Sequence, residues 1–238
     1  MLRAASRHRG PPARETIVAM TASARALLES VQQDLAPQDD DNRLVPLVRD
    51  GRAPRAVLAA LAAEEHRIVA SDWRSFLTLA GRATDEPTRE FFAGLAQGEG
   101  VALKALPVLA SALGMDREAV RAYRPQAGCQ AYPAYVAWLA LNAEPADAVV
   151  GVVANFAAWG QYCASIAKAL RSQYGLDDDA CAFFDMFASP PPEAQEQALA
   201  AVQAGIDAGR VTDAAREYGR LFQSYELMFW NTLADQAG

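Results

Sequence analysis

The sequence predicts a single all-α domain. Three observations carry this. Helix-forming Ala, Leu, Glu, Gln and Arg are abundant, apolar residues recur at steps of three and four, and alternating β-branched runs are absent. The chain has 238 residues, 52% of them hydrophobic, enough to bury a sizeable core. Helices are expected at about 21–36, 54–82, 86–113, 132–142, 145–174, 193–207 and 211–235. The first follows Met20 and stops at Pro37 and an Asp run. The second follows the turn from Gly51 to Pro54, and the third ends at Gly114. The fourth follows the stretch from Pro125 to Gly128. The fifth opens at Glu144-Pro145, where a first-turn proline loses no hydrogen bond, and closes at Gly175. Pro190 to Pro192 precede the sixth. No linker is long enough to divide the chain, so residues 20–238 are read as one helical bundle and residues 1–19 as a disordered tail. An Arg-rich amphipathic transit peptide is the alternative for that tail.

Composition excludes several functions. The net charge is −7, and the basic residues are scattered apart from Arg3, Arg7, Arg9 and Arg14. A nucleic-acid partner is therefore not expected, because a phosphate backbone needs a concentrated Lys/Arg surface. Cys129, Cys163 and Cys181 are odd in number and widely spaced, which is neither a disulfide framework nor a zinc pattern. A reducing cytoplasm is the expected setting. No apolar run is expected to reach the roughly 20 residues of a membrane span, and the N-terminus has no apolar segment of secretory type. No membrane partner is expected.

Carboxylates on apolar stripes are the informative feature. The second helix carries Leu58, Leu61, Glu65, Val69, Asp72, Phe76 and Leu79 on one face. The third carries Phe92, Leu95, Glu99, Leu103 and Leu106, with Gly98 and Gly100 beside the acid to admit a close backbone. The last carries Phe222, Glu226, Phe229 and Leu233. Each of three helices thus aims at least one acid at the core, and an unpartnered buried carboxylate costs several kcal/mol or more. Two readings follow. The acids lie at the stripe edge or pair with Arg67 and Arg74, or they line a polar small-molecule site with shifted pKa values.

Other constellations are poorer. A di-iron bundle site normally uses Glu-x-x-His pairs, and neither His8 nor His66 follows a Glu by three. His66 is the one candidate for a heme ligand, and a lone histidine reads as an ordinary surface or core residue. No histidine lies near the cysteines in sequence, which are read as buried and inert. Neither metal nor cofactor is expected. Aromatics cluster at Tyr132, Tyr135 and Trp138, at Trp159 and Tyr162, at Phe183, Phe184 and Phe187, and at Tyr225, Phe229 and Trp230. They pack the core or, facing the acids, form a slot for a flat heteroaromatic ring.

Several segments together resemble the thiaminase II (TenA) family, whose fold is that of the heme oxygenases. Tyr225-Glu226-Leu227-Met228-Phe229-Trp230 is similar to its Glu-x-x-Phe-Trp ending. Ala131 to Tyr135, followed by Trp138-Leu139, resembles its Tyr-rich helix start. Trp159 to Leu170 resembles its Pro-Cys-x-x-x-Tyr-x-Glu-Ile-Gly helix, and Phe183-Phe184-x-x-Phe187 its Trp-Ile-x-x-Tyr. The resemblance spans about residues 40–235. It implies a homo-oligomer and an active-site role for Glu226. It puts the ring-holding carboxylate at Glu65 or Asp72, and a site tyrosine at Tyr135. Phe76, Glu99, Trp159, Tyr162 and Phe187 complete the expected ligand-binding set. The departures matter. Trp159 stands where the family has its nucleophilic Cys, and Cys163 and Ala180 stand where it has tyrosines, although Tyr162 adjoins the first. Ordinary thiaminase chemistry therefore lacks its attacking group. The resemblance implies instead a metal-independent, Glu-based hydrolysis or deamination of an aminopyrimidine-like amine. The alternatives are a non-catalytic small-molecule binder and an oxidase of specialised metabolism. Trp159 is expected to face the core beside the acids, its ring N–H held by a carboxylate.

Overall fold

The computed structural model describes the backbone of residues 13–36 and 41–237, and side chains from residue 23 onward within them. Ten helices and no strand occur among the described residues. They are α1 (Ala13–Asp34), α2 (Leu44–Arg49), α3 (Arg55–Arg82), α4 (Glu86–Ala112) and α5 (Arg117–Ala122). Then follow α6 (Ala127–Asn142), α7 (Pro145–Ser172), α8 (Asp178–Ala188), α9 (Pro192–Asp207) and α10 (Ala214–Ala234). The all-α prediction holds, and the boundaries of the long helices agree within a few residues.

The differences are instructive. Helix α1 begins at Ala13, inside the segment read as tail, while residues 1–12 lie outside the described residues. The short α2 and α5 and the aromatic α8 were not expected as helices. Their signals were present for α5 and α8: Asp116 caps Ala119 N–H at 2.8 Å, and Asp177 caps Ala180 N–H at 2.9 Å. Helix α6 starts at Ala127 rather than 132, although Pro133 then falls inside it. The cause is tertiary. Glu64 of α3, fully buried, accepts Gln126 N–H at 2.7 Å, the Gln130 side-chain amide at 2.6 Å and the Tyr123 hydroxyl at 3.0 Å. That carboxylate ties the Gln126 N–H at the helix start, and the Tyr123 and Gln130 side chains on either side of it, to α3.

Helix α3 packs on α4 and α6, α10 on α6 and α7, α7 also on α8, and α4 on α8 and α9. Helix α7 is long and apolar enough to span a membrane, contrary to the sequence expectation, because an Ala/Val/Gly run fills its first half. Here it is the central core helix, packed against α2, α8, α9 and α10. It crosses α10 at two glycines. A Cβ on Gly151 would lie 3.1 Å from the Gly219 nitrogen and 3.3 Å from Tyr218 Cβ. Gly100 of α4 is different, since a Cβ there meets nothing within 4 Å. Gly151→Val is therefore expected to destabilise by about 1–3 kcal/mol through forced separation of α7 and α10. Gly100→Ala is expected to stabilise by roughly 0.5–1 kcal/mol. Urea denaturation of both variants checks the contrast; equal midpoints would show that the α7–α10 crossing is not tight.

Candidate active site

The buried apolar residues form two clusters rather than one. One gathers Leu58, Leu61, Val69, Leu106, Cys163, Phe183, Phe229 and Trp230, among others. The other gathers Phe76, Leu79, Phe92, Tyr135, Val149 and Phe222, among others. Along each central helix, the position where one cluster gives way to the other is polar. On α3 this residue is Asp72, on α4 Glu99, on α7 Asn155, and on α10 Glu226; Glu65, two turns before Asp72, lies within the first cluster and senses the Asp72 and Glu226 charges. Tyr132 of α6 packs against both clusters. A polar layer thus cuts the core at mid-bundle. A core selected only for stability would be apolar there.

Relative exposure is 1% for Glu65, 3% for Asp72, 3% for Glu226 and 4% for Asn155, so the edge-of-stripe reading fails for these residues. Glu99 is half-buried, with its carboxyl close enough to feel the Asp72 and Glu65 charges. The Arg67 and Arg74 pairing does not occur either. Arg67 donates to the Tyr123 carbonyl at 3.0 Å, Arg74 is exposed, and no ion pair among the described residues includes any of the four acids.

Burial sets the electrostatics. It raises Glu65 well above the usual carboxylate range, helped by the charges of Asp72, Glu226 and Glu64. It raises Glu99 in the same way, with help from Asp72 and Glu65. Asp72 rises to about 8 by burial, against a lowering hydrogen bond from Tyr132. Glu226 rises only to about 7, because two hydrogen bonds favour its charged form. The Trp230 indole donates to its Oε1 at 2.8 Å, and the Asn155 amide donates to its Oε2. A carboxyl poised near neutrality suits general acid/base work. Tyr132 completes the group: burial and all four acids raise its hydroxyl pKa well above the ordinary value.

Several expectations need correction. The indole that holds an acid belongs to Trp230, not Trp159. Trp159 is half-buried and packs on Trp230 at 5.5 Å and on Phe187 at 5.6 Å between ring centres. Phe156, three residues before Trp159 and so on the same side of α7, is 38% exposed, because an almost continuously apolar α7 does not mark its buried side. Tyr135 is buried but its hydroxyl senses Tyr218, Glu217 and Tyr225 rather than the four acids, and its ring stacks on Trp138 at 5.9 Å. Tyr132, three residues earlier and thus one helical turn away, takes the place expected of it. Gly98 and Gly100 admit no close backbone, since a Cβ on either would meet nothing within 4 Å. Phe76 stacks on Phe92 at 6.2 Å, directly beside the polar layer in sequence. Tyr162 feels Glu226 and packs edge-on to Trp230 at 5.8 Å. The three cysteines are free and buried, as expected, and burial raises all three thiols. Sequence reasoning missed Asn155, whose signal was a lone polar residue in the apolar run from Val149 to Ala158.

An open hollow lined by Pro107, Val108, Ser111, Ala112, Asp177 and Ala180 lies between α4 and α8, and none of the four acids lines it. Among the described residues, no three His, Cys, Asp or Glu side chains lie close enough to hold one metal ion.

The single all-α domain has a heme-oxygenase-like fold, as solved structures show. A domain of unknown function with a heme oxygenase-like fold from Shewanella denitrificans superposes with a TM-score of 0.62, at 16% identity over 93% of this chain and 91% of that one. A TenA homolog from Pseudomonas syringae pv. tomato gives 0.66 at 12% identity, covering 97% and 99%. A putative TenA-like thiaminase from Sulfolobus solfataricus gives 0.59 at 12% identity, covering 95% and 98%. The TENA/THI-4/PQQC family model matches residues 43–236, and the chain belongs to that family. No curated protein sequence matches it significantly.

Proposed function

We propose that this TenA-like protein is an enzyme that hydrolyses a heteroaromatic amine of aminopyrimidine type, using Glu226 and neither a cysteine nucleophile nor a metal. The observation that carries the reading is the polar layer, in which one acid alone is tuned to about 7 by two specific donors. Protonated Glu226 gives its proton to the departing amine. Its carboxylate then takes a proton from the water that forms the new C–O bond, so that an aminomethyl group and water become a hydroxymethyl group and ammonia. Asp72, Glu65 and Glu99 orient the ring and its amino groups, with Tyr132 holding Asp72. Trp159, Tyr162 and Phe187 wall the site around Trp230.

The test is turnover of aminomethyl- and formylaminomethyl-pyrimidines, read as ammonia or formate release. Release by the wild-type protein supports the reading, and none sinks it. The second reading, a non-catalytic binder, is favoured by Trp159 and Ala180 at the family's Cys and Tyr positions. Binding without turnover would select it. An oxidase would instead show oxygen consumption.

We also propose a cytoplasmic homo-oligomer. Exposed Trp73 and Leu77 on α3, and Trp138 and Leu141 on α6, supply apolar surface on two helices that pack together. Light scattering at the mass of one chain would overturn it.

A further inference from the structure

Asn42, just before α2, is a buried polar residue with 4% exposure, and its two side-chain atoms have different fates. Oδ1 accepts Leu44 N–H and Val45 N–H, both at 3.1 Å, and so starts α2. Nδ2 is buried and has no hydrogen-bond partner. The two accepted bonds fix which atom is oxygen and which is nitrogen, so the unpaired atom is a donor. Capping accounts for the oxygen alone. A serine would cap about as well without burying an unpaired amide N–H.

The donor is held in place. The Asn231 side chain brackets Asn42, accepting Arg43 N–H at 2.9 Å and donating to the Asp41 carbonyl at 2.9 Å. The Arg43–Asp235 ion pair, at 2.5 Å, fastens the same segment to the end of α10. Asn231 directly follows Trp230, whose indole donates to Glu226. The same stretch of α10 therefore anchors both the acid and the donor. Tyr162 of α7 links them. Its hydroxyl feels the Asn42 amide, Asp41 and Glu226, and its ring packs edge-on to Trp230. The amide favours the ionised form of that hydroxyl, yet Nδ2 makes no hydrogen bond with it. A buried, fixed and unpaired N–H beside Tyr162 is a preorganised donor that lacks an acceptor.

We propose that Asn42 is a specificity-determining residue of this site, its Nδ2–H binding an acceptor oxygen or unprotonated nitrogen on the ligand substituent that faces Glu226. The proposal rests on the reading of the polar layer as the ligand site but not on any reaction there. Asn231 acts in it as a positioning residue. A neutral amine, an ether or a carbonyl accepts the Asn42 hydrogen bond. An ammonium has no lone pair and sets N–H against N–H, so the site selects the neutral form of an amine.

The experiment compares two neutral ligands of nearly the same shape, 4-amino-5-methoxymethyl-2-methylpyrimidine and its 5-propyl analogue, which differ only by an ether oxygen in place of a methylene. Calorimetric titration of the wild-type chain is expected to show the ether binding roughly 10-fold more tightly. Asn42→Ser keeps the α2 cap but is too short to reach the ligand, and is expected to bring the two affinities within about 2-fold of each other. A thermal melt by circular dichroism checks that this variant is folded. Should it not be, Asn42→Asp, which keeps the cap and loses the amide donor, takes its place. Equal wild-type affinities, or a preference that survives in the variant, would overturn this proposal and leave the reading of the site standing. Binding of neither ligand would overturn both. Preference for the ether without turnover of the aminomethylpyrimidine would defeat the hydrolase reading alone.

Discussion

On the proposed mechanism, Glu226→Gln is expected to lower turnover of the aminomethylpyrimidine by roughly 10²–10⁴-fold, the usual contribution of a positioned acid/base, while the protein stays folded. Both halves follow from the partners of Glu226. The substituted amide still offers an oxygen to the Trp230 indole, now 2.8 Å from Oε1. Its nitrogen would face the Asn155 nitrogen, a clash of two donors. Asn155 resolves it by turning its amide over, because its own oxygen has no partner to lose. The same rotation lets Asn155 serve both protonation states of Glu226, donating to the carboxylate and accepting from the acid. Glutamine cannot carry the proton, so the acid/base contribution to the rate is expected to be lost. Wild-type turnover should also fall as pH rises above about 7, where Glu226 loses the proton it must donate. The measurements are kcat for both proteins and a thermal melt by circular dichroism. A variant that melts like the wild type and keeps its kcat would remove Glu226 from the mechanism.

The second large effect is on stability. Folding raises Asp72 from 3.8 to about 8, and Glu226 from 4.5 to about 7, chiefly by burial. The folded state therefore binds more protons than the unfolded chain between those values. The stability tied to these protons is complete below the unfolded pKa. It is lost progressively as pH rises, until each folded pKa is passed. Glu65 and Glu99 shift in the same direction. The protein should accordingly be more stable at pH 5 than at pH 8. Tm is expected to fall by roughly 5 °C or more over that interval, equivalent to about 2 kcal/mol for a domain of this size. Asp72→Asn should flatten this slope and melt above the wild type at pH 8, since the amide oxygen still accepts from Tyr132. Parallel Tm–pH curves for the two proteins would show that Asp72 is not held in its acid form.

Much of this was legible in the sequence. The three- and four-residue steps of α3 placed Glu65 and Asp72 on the buried face, and both lie there. The α10 stripe did the same for Glu226, and the order of the motifs led to the TenA family. These features are local: helical period assigns a face, and an acid on an apolar face is visible without coordinates. The sequence could not say which tyrosine of Tyr132 and Tyr135 meets the acids. A helix apolar on nearly all sides has no readable face, and α6 and α7 both have that character. That same ambiguity put Trp159, rather than Trp230, beside the carboxylate.

The sequence by itself determined the all-α class, the long helices, and the burial of acids on α3 and α10. Only the tertiary structure decided what those acids meet. Periodicity orients a side chain about its own helix axis but carries no information about the axial register between helices. That register aligns Asp72, Glu99, Asn155 and Glu226 into one layer between two apolar clusters, with Glu65 close enough to feel the Asp72 and Glu226 charges. It also brings Glu64 of α3 to the start of α6, where it accepts Gln126 N–H and begins a helix that proline and turn signals alone would have started later.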